Sequence, residues 1–373
     1  MAYAPAASPR AALEALGAQA GDAGFALVAL FVSPEADLDA VAAAAAEAFP
    51  DCPTIGCTTA GEIAPGGYAD GGVVAIGFAA DRFAARTALI PDLAGLDASG
   101  VGGVAVRMRA QLAVARPDWT WEFAWLLNDG LARREDQLVA ALRFGLGATP
   151  LFGGSAGDGL DFRRTSVIAE GRAHENAAVL AVVRSRGPVR VFKFDHFRPT
   201  DVKMVVTSAD PERRIVREIN AEPAALEYAR LVGKDPAQLS PFTFAAHPVV
   251  VTVGGQHHVR AIQKVEPNGD LAFFSAIDEG LVLTLAEPTD IARHLETALG
   301  ALARPVRPEA IIGCDCILRR LEAEQTQAAG AVSRILAAHD VVGFNTYGEQ
   351  FNSVHVNQTF TGVALYPPED APA

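Results

Sequence analysis

Residues 341–359 read VVGFNTYGEQFNSVHVNQT, and they have a partner at 54–63, TIGCTTAGEI. Both stretches carry the pattern Gly-x-x-Thr-x-Gly-Glu. It is Gly56, Thr59, Gly61 and Glu62 in the earlier copy, and Gly343, Thr346, Gly348 and Glu349 in the later one. The surroundings match too. Each copy follows an apolar run, an Ala-rich helical segment and a short apolar stretch, and each leads through a loop into another apolar run, at 73–78 and 360–366. A pattern repeated in the same strand–helix–strand–loop–strand context predicts internal duplication.

Working outward, residues 25–32 form a near-continuous apolar run, as a buried strand should. Ser33, Pro34 and Glu35 carry the signals of a helix start, with the helix running to about Phe49. Trp119, Trp121, Phe123, Trp125 and Leu127 alternate, which predicts a strand with an aromatic face, followed by a helix over 135–146. LFGGSAGDG at 151–159 has the glycines of a tight loop but no Gly-Lys-Ser/Thr of a phosphate-binding P-loop. Hairpins are expected over 205–219, around Asp210-Pro211, and over 259–276, around Asn268-Gly269. A helix is expected over 322–338.

Alternating helices and strands with frequent hairpins predict an α/β (α+β) chain. Its two related domains would have mixed, largely antiparallel sheets flanked by helices. The expected bounds are an N-terminal arm at 1–24, a first domain at 25–220, a second at 221–367 and a tail at 368–373.

Composition narrows the function. At 373 residues, half of them apolar, the chain is long enough for two cores. A formal net charge of −13 argues against bulk electrostatic binding of nucleic acid or anionic membrane. No apolar run is long enough to span a bilayer, and residues 1–24 lack the pattern of a signal peptide. With only four cysteines, the expectation is a cytoplasmic protein.

Together TIGCTTAGEI, LLNDGL, LFGGSAGD, the C-x-L-R element at Cys316–Arg319, VVGFNTYGE and the terminal VNQTF resemble the FIST family over roughly 25–365. The resemblance implies a FIST N-like domain followed by a FIST C-like domain. It also implies a role as a small-ligand sensor in signal transduction that acts through a separate partner. One branch of that family is described as haem-binding nitric oxide sensors working with histidine kinases and cyclic-di-GMP enzymes. Where many members carry Gly-Trp, this chain has Asp195-His196-Phe197, and Leu318 stands where a small residue is usual. Haem b is the cofactor that branch implies, with His196 as iron ligand and His355 as second choice.

Two readings stand for Glu62 and Glu349: carboxylates facing a ligand pocket between the halves, or carboxylates that accept backbone N–H bonds and pin a loop. Asn345, Tyr347, Asn357 and Gln358 lie beside Glu349 in the densest polar cluster of an otherwise apolar half. The candidate ligand-binding set is Glu349, Tyr347, Asn345, Thr346, Glu62, Thr59 and Asp158. Cys57, Cys314 and Cys316 are either buried small residues or thiol nucleophiles of a hydrolase or transferase; the missing base in sequence favours burial. The His257-His258 pair beside Gly254-Gly255 is expected in solvent.

Overall fold

The structure is a computed structural model that describes residues 1–253 and 255–368. The expected tail at 368–373 therefore falls almost wholly outside the described residues. The fold class is as expected, mixed α/β with helices flanking mixed sheets. The repeat, however, occurs three times and not twice.

Each unit runs edge strand, helix, central strand, helix, second central strand, hairpin, return strand. In the first unit these are Ala2–Pro5, Pro9–Gly17, Phe25–Val32, Leu38–Ala48, Thr54–Thr58, the hairpin Glu62–Ala64 with Gly67–Ala69, and Gly72–Ala79. The second unit follows with Phe83–Ile90, Ala98–Ala115, Trp121–Asn128, Glu135–Leu146, Leu151–Ser155, the hairpin Val167–Ala169 with Arg172–His174, and Ala178–Ser185. The third has Val189–Phe194, Ile291–Leu302, Ala310–Cys316, the helices Ile317–Gln325 and Ala329–Ala338, Val341–Thr346, the hairpin Glu349–Phe351 with Val354–Val356, and Phe360–Leu365.

In every unit the two central strands are parallel and the return strand is antiparallel to the first of them. The hairpins do not stay at home. The second unit's hairpin pairs with Thr54–Thr58 of the first. The third unit's hairpin pairs with Leu151–Ser155 of the second, and the first unit's with Val341–Thr346 of the third. Three six-stranded sheets result, each completed by a neighbour's hairpin in a closed cycle.

The inner faces of the three sheets share one core. Phe31 and Phe78 of the first unit meet Phe123, Trp125 and Phe152 of the second and Phe344 of the third. Phe31 stacks on Phe344 at 4.4 Å between ring centroids, and Trp125 on Phe152 at 5.2 Å. The expected aromatic strand accounts for Phe123 and Trp125, both wholly buried, whereas Trp121 sits at the rim and Trp119 lies before the strand. Helices cover the outer faces, so the central strands are covered on both sides and read as continuous apolar runs.

Between the third unit's edge strand and its first helix, residues 195–290 form an inserted body. It carries an eight-stranded sheet, which includes Phe197–Asp210 and Val282–Pro288, with its own core around Met204, Tyr228, Phe244 and Leu283. Both expected hairpins lie in it. Asn220, the expected domain boundary, lies in a turn of this sheet with φ 54°. The insert rests on the ends of the third unit's strands: Val250, Val259 and Phe274 pack with Ile317, Leu318, Leu321 and Tyr347.

Several local expectations are corrected. Residues 1–24 are not a free arm but the edge strand and first helix of unit one, registered on residues 72–75. The helix expected from Ser33 starts at Leu38, because Asp37 caps Ala40 N–H at 3.1 Å, while the Ser33 hydroxyl accepts from Glu35 N–H in a local turn. The helix expected over 322–338 is two helices, broken at Gln327 with φ 59°.

Candidate functional site

The two matched patterns occupy equivalent places, where the chain leaves one sheet for the next. By strand register Gly56, Gly153 and Gly343 are equivalent, facing Leu30, Leu126 and Gly313. A methyl group on any of them would lie 2.4, 2.1 or 1.8 Å from the partner's carbonyl oxygen. Four residues on, the backbones meet in a ring: Ala60 N–H donates to Asn345 O at 2.9 Å, Gly157 N–H to Thr58 O at 3.1 Å and Tyr347 N–H to Ser155 O at 3.3 Å.

The carboxylates complete the crossing. Glu62 accepts from the Thr59 hydroxyl at 2.5 Å and from Gly72 N–H at 3.1 Å. Glu349 accepts from the Thr346 hydroxyl, from Thr359 N–H at 3.2 Å and from the Thr359 hydroxyl at 2.8 Å. In both copies the acid ties the Thr three residues before it to the chain ten residues after it. Burial raises Glu62 to about 7 and Glu349 to about 8, against the opposing pull of these donors. Both side chains are wholly buried, with both oxygens engaged. Asn345 is also interior and accepts from Arg320 at 3.1 Å.

The expected pocket around Glu349, Tyr347 and Asn345 is thus packed protein, because the crossing brings three backbones together there. Of the seven expected ligand residues, only Asp158 lines one of the described cavities.

That cavity, about 560 Å³, opens where the first unit's parallel strands end, after Val32 and Thr58. One wall is the segment 34–39, with Glu35, Asp37 and Asp39. The other is the second unit's long connection to its hairpin, with Asp158, Asp161, Arg163 and Arg164. Asp158 holds this connection in shape, accepting from Phe162 N–H at 2.9 Å and from Arg163 and Arg164 N–H at 2.8 Å each. The Tyr347 hydroxyl also donates to Asp158. Phe162, at φ 53°, turns away from the cavity, stacks on Tyr347 at 4.5 Å and packs on Phe274 of the insert at 5.8 Å. The long connection is easy to miss in sequence, because Gly157-Asp158-Gly159 resembles a plain turn. The end of a parallel strand pair is nevertheless where α/β sheets place ligands.

His196 lies at the neck of the insert, and its carbonyl accepts from both Thr289 N–H and the Thr289 hydroxyl at 2.8 Å. Its ring is wholly buried. Arg319, which can only donate, lies 2.7 Å from Nδ1, so Nε2 carries the proton and donates to Glu322 at 2.8 Å. Burial and the Arg319 charge lower its pKa to about 2, and burial raises Glu322 to about 8. Phe192 and Phe194, just before His196 in the chain, stack on each other at 4.7 Å. With both ring nitrogens taken and the rings packed together, these residues do not fit a haem. His355 is wholly buried with neither ring nitrogen hydrogen-bonded, and none of the described cavities is lined by it. No group of His, Cys, Asp and Glu among the described residues is arranged to hold a metal ion.

Cys57, Cys314 and Cys316 are buried, and desolvation pushes each thiol well above its ordinary pKa. A thiol nucleophile needs the opposite environment. Of the pair expected in solvent, His257 is exposed but His258 is half-buried; both lie in the strand Gln256–Arg260. Among the described residues no helix is long and apolar enough to cross a membrane.

Residues 26–222 match the family model described as the FIST N domain, and residues 224–352 match that of the FIST C domain. Among curated proteins none matches this chain.

Proposed function

This chain belongs to the FIST family, and on that premise we propose that it is a non-catalytic sensor that binds a small polar ligand in the 560 Å³ cavity beside Asp158. FIST domains are associated with sensing of small ligands in signal transduction. The observation that carries this assignment is the double role of residues 158–164. One side of the segment lines the cavity with Asp161, Arg163 and Arg164, and the other places Phe162 against Phe274 of the insert. A ligand touching the first side shifts the second. Glu35, Asp37, Asp39 and Asp161 outnumber Arg163 and Arg164 there, and Arg164 is already paired with Glu175 at 2.5 Å. The balance favours a ligand with a cationic nitrogen.

Phe162 supports the assignment further. A bulky residue in the left-handed region costs about 1 kcal/mol or more and marks a segment held in place by its surroundings. Thr59, Glu62, Thr346, Glu349, Tyr347 and Asn345 would then frame the ligand site from behind. The output passes to a separate cytoplasmic partner, a histidine kinase or a cyclic-di-GMP enzyme.

Calorimetric titration with simple amines, putrescine and ethanolamine first, tests the site. Saturable binding that Asp161→Asn weakens about tenfold, with an unchanged melting temperature, supports it. Binding that is indifferent to Asp161→Asn and Glu35→Gln removes this cavity from consideration.

A further inference from the structure

A second cavity, about 430 Å³, lies between the second unit's helix Glu135–Leu146 and the inserted body. Arg133, Arg134, Arg214 and Arg260 all reach it. Their situations differ. Arg214 is buried and neutralised, donating to Glu135 at 2.7 Å, to Asp136 at 3.4 Å and to the carbonyl of Phe274.

Arg260 has no such partner. Its Nε is buried without a hydrogen bond, and its NH1 makes one long bond, 3.4 Å, to the carbonyl of His355. Among the described residues it makes no ion pair. Burial lowers its pKa, the Asp136 charge opposes that shift, and the Arg214 charge adds to it. Arg260 is half-buried, and Asp136, the carboxylate whose charge acts on it, is already held by Arg214, so a guanidinium without an ion pair faces the cavity wall and suits a counter-charge from outside the chain.

The other wall suits the same counter-charge. Helix Glu135–Leu146 begins at Arg134, whose side chain makes no capping bond, so a helix start without a side-chain cap borders the cavity. Three carboxylates also line the space. Asp136 is engaged by Arg214 and by Ala276 N–H at 3.2 Å, while Glu212 and Asp278 are exposed at the rim. The inner end is therefore cationic.

We infer that this cavity binds a small molecule bearing an oxyanion, carboxylate or phosphate, with Arg260 as the half-buried anchor and Arg134 at the mouth. The site is separate from the cavity beside Asp158. Its walls come from the second unit and from the insert, so an anion held there ties the two together.

The test is titration calorimetry and thermal melting of the full chain at constant ionic strength with inorganic phosphate and, separately, succinate, against chloride. Saturable binding of one or both is expected, and which one binds identifies the oxyanion. Arg260→Gln should weaken that binding at least about tenfold. It should also leave the anion-free melting temperature equal or higher, because it removes a half-buried charge that has no ion pair. Arg134→Gln, at a position that bears little on folding, should weaken binding about threefold by itself. The inference is overturned if neither phosphate nor succinate binds above chloride, or if Arg260→Gln binds as the parent does. It is overturned equally if Arg260→Gln lowers the anion-free melting temperature while Arg134→Gln leaves binding unchanged, which would make Arg260 a strut.

Discussion

The first and third crossings keep Gly-x-x-Thr-x-Gly-Glu and are solid; the second departs from it and lies against a cavity. At Glu62 and Glu349 the acid is wholly buried and ties a Thr three residues back to the chain ten residues ahead. The second crossing has Ala156-Gly157-Asp158-Gly159 in the corresponding places, and eight residues between Asp158 and Val167 where the other copies need almost none. Its Asp158 still gathers backbone N–H groups, but those of a surface connection that lines 560 Å³ of open space. Where the repeat is kept, its residues serve the crossing of chains. Where it is broken, the chain leaves an open cavity.

The largest effects should follow from breaking the kept copies. Glu349→Ala leaves Thr359 N–H and two hydroxyls without an acceptor in the interior, and should cost about 2–5 kcal/mol in urea denaturation. Gly343→Ala places a methyl 1.8 Å from the Gly313 carbonyl and should cost at least about 3 kcal/mol. A loss below about 0.5 kcal/mol for either would mean that these crossings are not what holds the sheets together.

Asp158→Ala should fall well short of that. The connection frees Phe162, Arg163 and Arg164 N–H groups to water, so global stability should fall by about 1–2 kcal/mol. Limited proteolysis should then cut first between 159 and 165. Cleavage elsewhere, or a loss as large as that of Glu349→Ala, would erase the distinction between the crossings.

How much of this was legible in the residues follows the same line. Two copies were visible because their Thr and Glu do a job that only those side chains do in that spacing. The third was not, since register retains only Gly153, and a lone glycine in LFGGSAGD looks like any tight turn. The cyclic exchange of hairpins leaves no local trace, because pairing with a neighbour's strand needs the same apolar residues as pairing with one's own. The pinning role of Glu349 was one of two readings, and the local sequence is the same for both. His196 shows the limit most plainly: a histidine two residues after Phe194 gives no hint of Arg319 and Glu322, more than 120 residues away, which take both its nitrogens.

The buried acids also set a pH dependence. Glu349 at about 8 and Glu62 at about 7 bind protons in the folded chain that they would have shed when unfolded, above the ordinary value of 4.5. Their contribution is therefore present in full at low pH and is lost as pH rises through those values. The melting temperature of Glu349→Gln relative to the parent should rise between pH 5 and pH 8, by up to about 1.4 kcal/mol per pH unit in stability. Glu62→Gln should show the smaller rise, ending nearer pH 7. Parallel curves for parent and variant would show that neither acid changes its protonation on folding.

The smallest expected change in stability bears most directly on function. Phe162 is half-buried, stacked on Tyr347 and packed on Phe274, in a backbone conformation that favours glycine. Phe162→Gly loses part of an aromatic burial, about 1–2 kcal/mol, and regains about 1 kcal/mol of backbone strain. The net effect on unfolding should stay within about 1 kcal/mol of zero. Ligand contacts through Asp161 and Glu35 do not involve the ring, so affinity at the first cavity should hold within about threefold. The transmitted part should disappear. In the parent, ligand binding should slow hydrogen exchange at Leu271–Phe273 of the insert as well as around the cavity. In Phe162→Gly only the residues around the cavity should respond. Continued protection of Leu271–Phe273 would show that the ligand reaches the insert by another route. Loss of protection at both places would show that Phe162 builds the cavity and does not relay from it.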